Sequence, residues 1–100
     1  MSSQFGDRIR QLRIKNQLLQ RQVASYLDMD TPLLSKIERG ERIAKKESVG
    51  KFASILKADE KELLTLWLAD QLYDFAKDDE VGLSALQAAE KKIKTLKKGK

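Results

Sequence analysis

Apolar residues recur at intervals of three and four along almost the whole chain, and this spacing restricts the fold more than any other feature. The interval matches one face of an α-helix, and no segment alternates apolar and polar residues over the length of a strand. We therefore expect an all-α fold. The spacing predicts six helices, at about residues 5–16, 20–28, 31–39, 46–57, 59–76 and 83–97.

The only proline of the chain, Pro32, stands at the start of the third of these helices. A proline is tolerated there because the first amides of a helix have no intrahelical partner. Asp30 or Thr31 can cap this end, and Gly40 can terminate the other. The helix is then about two turns long. So short a helix must be held by its neighbours, and its outer side is left available.

Composition excludes most kinds of chemistry. The chain has no Cys and no His, so disulfides, thiolate metal sites, cysteine nucleophiles and histidine bases are excluded. The five glycines are scattered and form no phosphate-binding loop, and the acids at 78–80 are best explained as a loop. No apolar run approaches the roughly 18 residues of a membrane span. We expect a cytoplasmic protein of about one compact domain that is not an enzyme and needs no metal or cofactor.

Charge is divided unevenly along the chain. Residues 1–58 hold twelve Lys and Arg against six Asp and Glu, residues 59–90 hold two against nine, and residues 91–100 hold six lysines and no acid. A basic first half favours a polyanionic partner, although charge alone does not separate this from ordinary solubility. The acidic block is expected to face away from such a partner.

Two closely spaced helices, the second short and exposed, describe a helix-turn-helix in a basic domain. The segments RIRQLR (8–13), QRQVASYL (20–27) and LSKIERGER (34–42), followed by VGKFASILKADEKELL (49–64), resemble the phage-repressor and Cro type of regulator, the xenobiotic-response-element family. The resemblance implies a five-helix repressor-like DNA-binding domain in residues 1–64. Residues 65–100, with an additional C-terminal helix, lie outside the shared core.

The outward side of the third helix carries the candidate base contacts, which are Thr31, Pro32, Ser35 and Lys36. Lys36 can donate to guanine O6 or N7, and Thr31 can form a hydrogen bond or contact a thymine methyl group. The resemblance places Thr31, Pro32 and Lys36 where family members read bases. Pro32 has no hydrogen-bonding group, so we favour a role in fixing the start of the helix.

Residues before and after this helix are candidates for contact with the phosphate backbone. Gln20 begins the second helix and has an amide that can donate to a phosphate, the role that the resemblance also implies. The candidate phosphate contacts are Gln20, Arg39, Arg42, Lys45 and Lys46. The alternative for the last four is a solvated basic loop. Contacts of this kind set position and salt sensitivity rather than sequence preference.

The resemblance also implies that Arg13 and Glu38 form an internal ion pair between the first and third helices, so we assign both a structural role. Two positions depart from the family. Leu19 replaces the usual polar cap of the second helix, and Asp28 replaces the usual glycine of the turn, where a left-handed backbone is expected. The expected core residues are Val23, Ala24, Leu27, Leu34, Ile37, Val49, Phe52 and Leu56.

The fifth helix is apolar around much of its circumference, which favours a homodimer. The expected dimer contacts are Trp67, Leu68, Leu72 and Tyr73, although these residues can instead close the core of one chain. The lysine-rich end, residues 91–100, has three interpretations: a solubilising tail, a DNA-binding arm, or a membrane contact, the last disfavoured by its few apolar residues.

Together these features predict a sequence-specific DNA-binding transcriptional regulator. We expect a repressor that binds double-stranded DNA as a dimer at an inverted-repeat operator. A different class of function stays open: an antitoxin or interaction adaptor that holds a partner protein through its C-terminal helices. The possible partner proteins are a toxin, or RNA polymerase if the regulator activates transcription from the same site.

Overall fold

A computed structural model describes residues 3–98, and over that range the chain forms helices and no β-strand. The all-α prediction is confirmed, and the predicted helix ends agree with the observed ones to within about two residues. The helices are α1 (Gln4–Lys15), α2 (Gln20–Tyr26), α3 (Thr31–Glu38), α4 (Lys46–Leu56), α5 (Glu60–Ala76) and α6 (Gly82–Lys98).

Helices α1 and α3 begin at side-chain caps that the local sequence supplies. The Ser3 hydroxyl accepts a hydrogen bond from the backbone N–H of Gly6 at the start of α1. At the start of α3, Asp30 Oδ1 accepts from the N–H of Leu33 at 2.9 Å, so Asp30 rather than Thr31 is the cap. Leu19 provides no side-chain cap for α2, as its apolar side chain predicts.

A single hydrophobic core joins the first four helices and the beginning of α5. All eight core residues that the sequence predicted are buried. Phe5 meets Phe52 edge to face, with ring centroids 5.8 Å apart, and so joins α1 to α4. The other buried apolar side chains are Ile9, Leu12, Ala44, Ala53 and Leu63.

Two backbone features determine how α1 and α2 approach α3. Asp28, in the turn between α2 and α3, has a φ of 59°, the left-handed conformation that was expected at this position. Gly6 lies against the end of α3, where a Cβ atom would stand 2.5 Å from the carbonyl oxygen of Ile37. Only glycine allows α1 and α3 to come this close.

The chain divides into two compact units, Met1–Asp70 and Gln71–Lys100. The first unit therefore extends past the predicted boundary at residue 64. Its last residue explains why: the Asp70 carboxylate accepts hydrogen bonds from the backbone N–H groups of Gln4 and Phe5, both at 2.9 Å. This contact ties the beginning of α1 to α5 within the first unit.

The second unit contains the end of α5, a turn and α6. Among its described residues only Gly82 is buried. The predicted lysine-rich tail is helical as far as Lys98, and its last two residues, 99 and 100, lie outside the described residues. Between residues 3 and 98 no helix is both long and apolar enough to cross a membrane.

Candidate nucleic-acid interface

Helix α3 has one side in the core and one side in solvent. On the buried side are its own residues Leu34, Ile37 and Glu38. On the other side Pro32 and Lys36 are exposed, and Thr31 and Ser35 are partly exposed. The four residues that were predicted to face DNA bases thus share the accessible side of one short helix, at the i, i+1, i+4 and i+5 positions.

A buried carboxylate holds the inner side of α3. Arg13 Nε donates to Glu38 Oε2 at 2.7 Å, and Arg13 Nη2 donates to Glu38 Oε1 at 3.1 Å. Arg13 Nη1 also donates to the carbonyl oxygen of Leu18, just before α2. One guanidinium group therefore joins α1, the segment leading to α2, and the end of α3.

Gln20 completes this network through a hydrogen bond that the sequence did not predict. Its Nε2 donates to Glu38 Oε1 at 3.0 Å, so the amide is not free as the sequence suggested. The cause is the buried Glu38 carboxylate, which needs donors to offset its desolvation. An amide nitrogen carries two hydrogens, and one remains for a phosphate oxygen.

Arg39, a predicted phosphate contact, is engaged on the surface. Its guanidinium donates to Glu41 through Nε at 2.8 Å and through Nη2 at 3.2 Å, and Nη1 donates to the Ser35 hydroxyl. The hydrogen bond with Glu41 raises the pKa of Arg39, and the hydrogen bond from Arg39 lowers the pKa of Glu41. Arg39 is thus bonded to both Ser35 and Glu41 beside the candidate base-reading side.

The loop after α3 and the first residue of α4 carry three further cations that the structure leaves exposed, Arg42, Lys45 and Lys46. Ala44 is buried between them and anchors the loop. Its carbonyl oxygen accepts a hydrogen bond from Trp67 Nε1 at 2.7 Å. The cations are therefore displayed on a loop that is fixed to the core.

This hydrogen bond gives Trp67 a role inside one chain. Trp67 is partly buried, packs against the core of the first unit and supports the loop after α3. Of the other predicted dimer contacts, Leu68 is 51% exposed, Leu72 47% and Tyr73 50%. These three side chains remain accessible.

Three residues of this region were missed at the sequence level, namely Gly6, Glu41 and Asp70. Glu41 stands two residues after Arg39, a local spacing that was available as a signal for the pair. Gly6 and Asp70 act across long sequence separations, and their residue types alone carry no signal of this. In the part of the chain that the structure describes, no group of three Asp, Glu, His or Cys side chains is arranged to hold a metal ion.

Comparison with known proteins agrees with this geometry. A family model described as a helix-turn-helix domain matches residues 4–66, which is most of the first unit and more than half of the chain. No curated protein and no solved structure shows a significant match. The matched segment contains α1–α4, the beginning of α5 and every candidate DNA contact named above.

Proposed function

The chain belongs to the helix-turn-helix domain family, and on that premise we propose that it is a sequence-specific regulator of transcription that binds double-stranded DNA through α3. The single observation that carries the proposal is the fixed position of α3. Its buried side is tied to α1 and α2 through Glu38, while Lys36 on its opposite side is exposed.

Lys36 is the residue we assign to base recognition. Its ammonium can donate to guanine O6 or N7 in a major groove, and the partly exposed Thr31 hydroxyl lies on the same side of α3. Pro32 restricts the backbone at the start of the helix and has no donor or acceptor to offer. Because α3 is already formed and capped by Asp30, little ordering is required on binding.

We assign phosphate contact to the exposed cations beside α3, Arg42, Lys45 and Lys46, and to the remaining N–H of Gln20. These groups lie at the start of α2, on the loop after α3 and at the start of α4. Such contacts fix the register of a protein on the duplex and make affinity depend on salt. Arg39 also contacts a phosphate when its guanidinium releases Glu41.

We further propose that the protein acts as a repressor of the phage-repressor and Cro type in the cytoplasm, as a dimer on an inverted repeat. A dimer of helix-turn-helix domains reads two half-sites about one turn of DNA apart. The exposed Leu68, Leu72 and Tyr73 are candidate contacts between the copies. Occupation of an operator that overlaps a promoter then blocks transcription.

Selection of binding sites from random duplexes tests the proposal. We expect the full-length chain to enrich an inverted repeat whose half-sites are about one helical turn apart. Enrichment of a single half-site would retain base recognition and remove the dimer. No enrichment above an unrelated basic protein at the same ionic strength would remove the function itself.

A second candidate function rests on the apolar residues that α6 exposes. Leu83, Ile93 and Leu96 are more than half exposed, which suits an antitoxin or adaptor that holds another protein. If that is the main role, residues 65–100 expressed alone should be poorly soluble or partly unfolded and should become ordered with the bound protein. A lack of sequence preference in the selection described above would favour this candidate.

A further inference from the structure

Helix α6 is long, but very little of its surface is buried by the rest of the chain. It has 17 residues, and Gly82 at its beginning is the only one that is buried. In proteins most of the stability of a helix comes from packing one apolar face rather than from the helix itself. The second unit therefore has a full helix with no core of its own to support it.

The uncovered apolar residues of α6 form one stripe. Leu86, Ala89, Ile93 and Leu96 follow one another at steps of three and four, so they share a face of the helix. Leu86 is partly exposed, Ile93 is 55% exposed and Leu96 is 66% exposed. Together with Leu72, part of this stripe lines an open groove within the second unit. A stripe of this width is what two paired helices bury between them.

The charges at the two ends of α6 are opposite. The turn before it contains Asp78, Asp79 and Glu80, all exposed. The C-terminal half contains five exposed lysines between residues 91 and 98 and no acid. Two such helices side by side in parallel would place lysines against lysines. An antiparallel arrangement separates the lysines of the two copies and brings the acidic turn before each α6 towards the last lysines of the other, which favours this direction.

We infer that α6 pairs with α6 of a second copy of this chain in the antiparallel direction, with the Leu86–Leu96 stripe as the buried seam. In this arrangement Leu86 of one copy faces Ile93 and Leu96 of the other, and the twofold axis passes near residues 89–91. The occupant is a second copy because its own sequence supplies both the matching apolar spacing and the opposite charges. The inference rests on the proposed function in that it extends the proposed contacts between two DNA-binding units from Leu72 of α5 to α6.

Cross-linking through introduced cysteines tests the direction of pairing. The chain has no native Cys, so Leu83→Cys and Leu96→Cys each introduce a single thiol. These positions are about 20 Å apart along a helix, far beyond the Cα separation that a disulfide allows. After mild oxidation of each full-length variant alone, and of the two mixed, the antiparallel pairing predicts a disulfide-linked dimer mainly in the mixture. Efficient cross-linking of each variant alone would show parallel pairing and overturn the inference, as would the absence of any cross-link.

Matched substitutions test the seam. Ile93→Asp places a charge in the stripe, and Ala88→Asp places the same charge on the opposite side of α6, where it remains in solvent. By sedimentation at micromolar concentration we expect the first variant to be a monomer and the second to remain a dimer. A monomeric parent chain, or dimers of equal stability in both variants, would overturn the inference. Helix content from circular dichroism shows whether either variant has unfolded.

Measurements of DNA binding distinguish failure of the α6 pairing from failure of the proposed function. With Ile93→Asp we expect the affinity for an inverted repeat to fall by on the order of 100-fold, because the second half-site loses the effective concentration that linkage provides. Affinity for a single half-site should be unchanged. If the half-site is recognised but neither variant alters binding to the repeat, the α6 seam is wrong and the DNA-binding function stands. If no half-site is recognised while the cross-link forms, the function is wrong and the seam stands.

Discussion

Arg13 and Glu38 form an ion pair in which almost no charge is exposed. The Nε–Oε2 distance is 2.7 Å, and the side chains are 13% and 2% exposed. A pair at this depth differs from a surface salt bridge, whose contribution to stability is commonly below about 1 kcal/mol. It determines where the end of α3 lies relative to α1, and so where the side proposed to read bases is presented.

We predict that Arg13→Ala lowers the free energy of unfolding by about 3 kcal/mol, because among the described residues it leaves the buried Glu38 carboxylate with Gln20 as the one side-chain donor. Urea denaturation monitored by circular dichroism measures the loss. Arg10→Ala removes an exposed arginine from the same helix and should change the free energy by less than about 0.5 kcal/mol. Similar losses in both variants would contradict a structural role for the pair.

We predict opposite effects for alanine at two glycines. In Gly6→Ala the new Cβ would lie 2.5 Å from the Ile37 carbonyl oxygen and 2.7 Å from that of Glu38, both backbone atoms. Helices α1 and α3 must then separate, at a cost of about 1–3 kcal/mol. In Gly50→Ala the nearest atom is Glu60 Oε2 at 3.4 Å, so the substitution should stabilise α4 by about 0.5–1 kcal/mol. Thermal denaturation of the two variants checks the sign of each effect.

The sequence was sufficient for the parts of the fold that local signals determine. The start of α3 is an example: Asp30 as a cap, Pro32 just inside the helix and Gly40 after its end all act within a few residues. The buried apolar residues of α2 and α4 follow equally from spacing. In each of these places one residue's preference and the packing of its helix favour the same structure.

The contacts that sequence reasoning missed join residues far apart in the chain. Nothing in the residue types indicates that Trp67 donates to Ala44 rather than packing on a second chain, or that Gln20 donates to Glu38. Each of these donors had several possible acceptors, and the choice depends on how the helices are placed in three dimensions. For this reason residues were assigned to the correct side of α3 more readily than to their hydrogen-bond partners.

Asp70 provides a measurable example of such a long-range contact. We predict that Asp70→Ala lowers the free energy of unfolding by about 1–2 kcal/mol, because the N–H groups of Gln4 and Phe5 lose their acceptor. Asp70→Asn keeps one oxygen and should lose less. Asp74→Ala removes a surface pair with Lys77 and should cost under about 0.5 kcal/mol. An equal cost for Asp70→Ala and Asp74→Ala would show that the contact of Asp70 with the start of α1 does not stabilise the fold.

Two lysines should affect DNA binding in different ways. We predict that Lys36→Ala changes which bases are preferred, because Lys36 lies on the exposed side of α3. Lys45→Ala should weaken binding to all sequences and reduce the slope of log affinity against log salt by roughly one unit. Site selection followed by salt titration on the enriched duplex measures both. The same change in both variants would contradict the assignment of base and phosphate contacts.

Glu41 should oppose DNA binding by holding Arg39. We predict that Glu41→Gln increases affinity several-fold for specific and unrelated duplexes and steepens the salt slope by up to about one unit, because Arg39 becomes available to a phosphate. The hydrogen bond from Arg39 lowers the pKa of Glu41, so the pair is intact at neutral pH. As the pH falls through that lowered pKa, Glu41 becomes neutral and the difference between parent and variant should disappear.

The control for this prediction is Glu47→Gln, which removes the same charge from an exposed position in the first turn of α4. Loss of a negative charge favours DNA binding at any position near the interface, so both variants gain some affinity from this general term. Only Glu41→Gln also frees a cation, and only there should the salt slope become steeper. Fluorescence anisotropy over a range of salt concentrations separates the two contributions. Equal slopes in the two variants would mean that Arg39 stays with Ser35 or in solvent when DNA binds, and would remove it from the phosphate contacts.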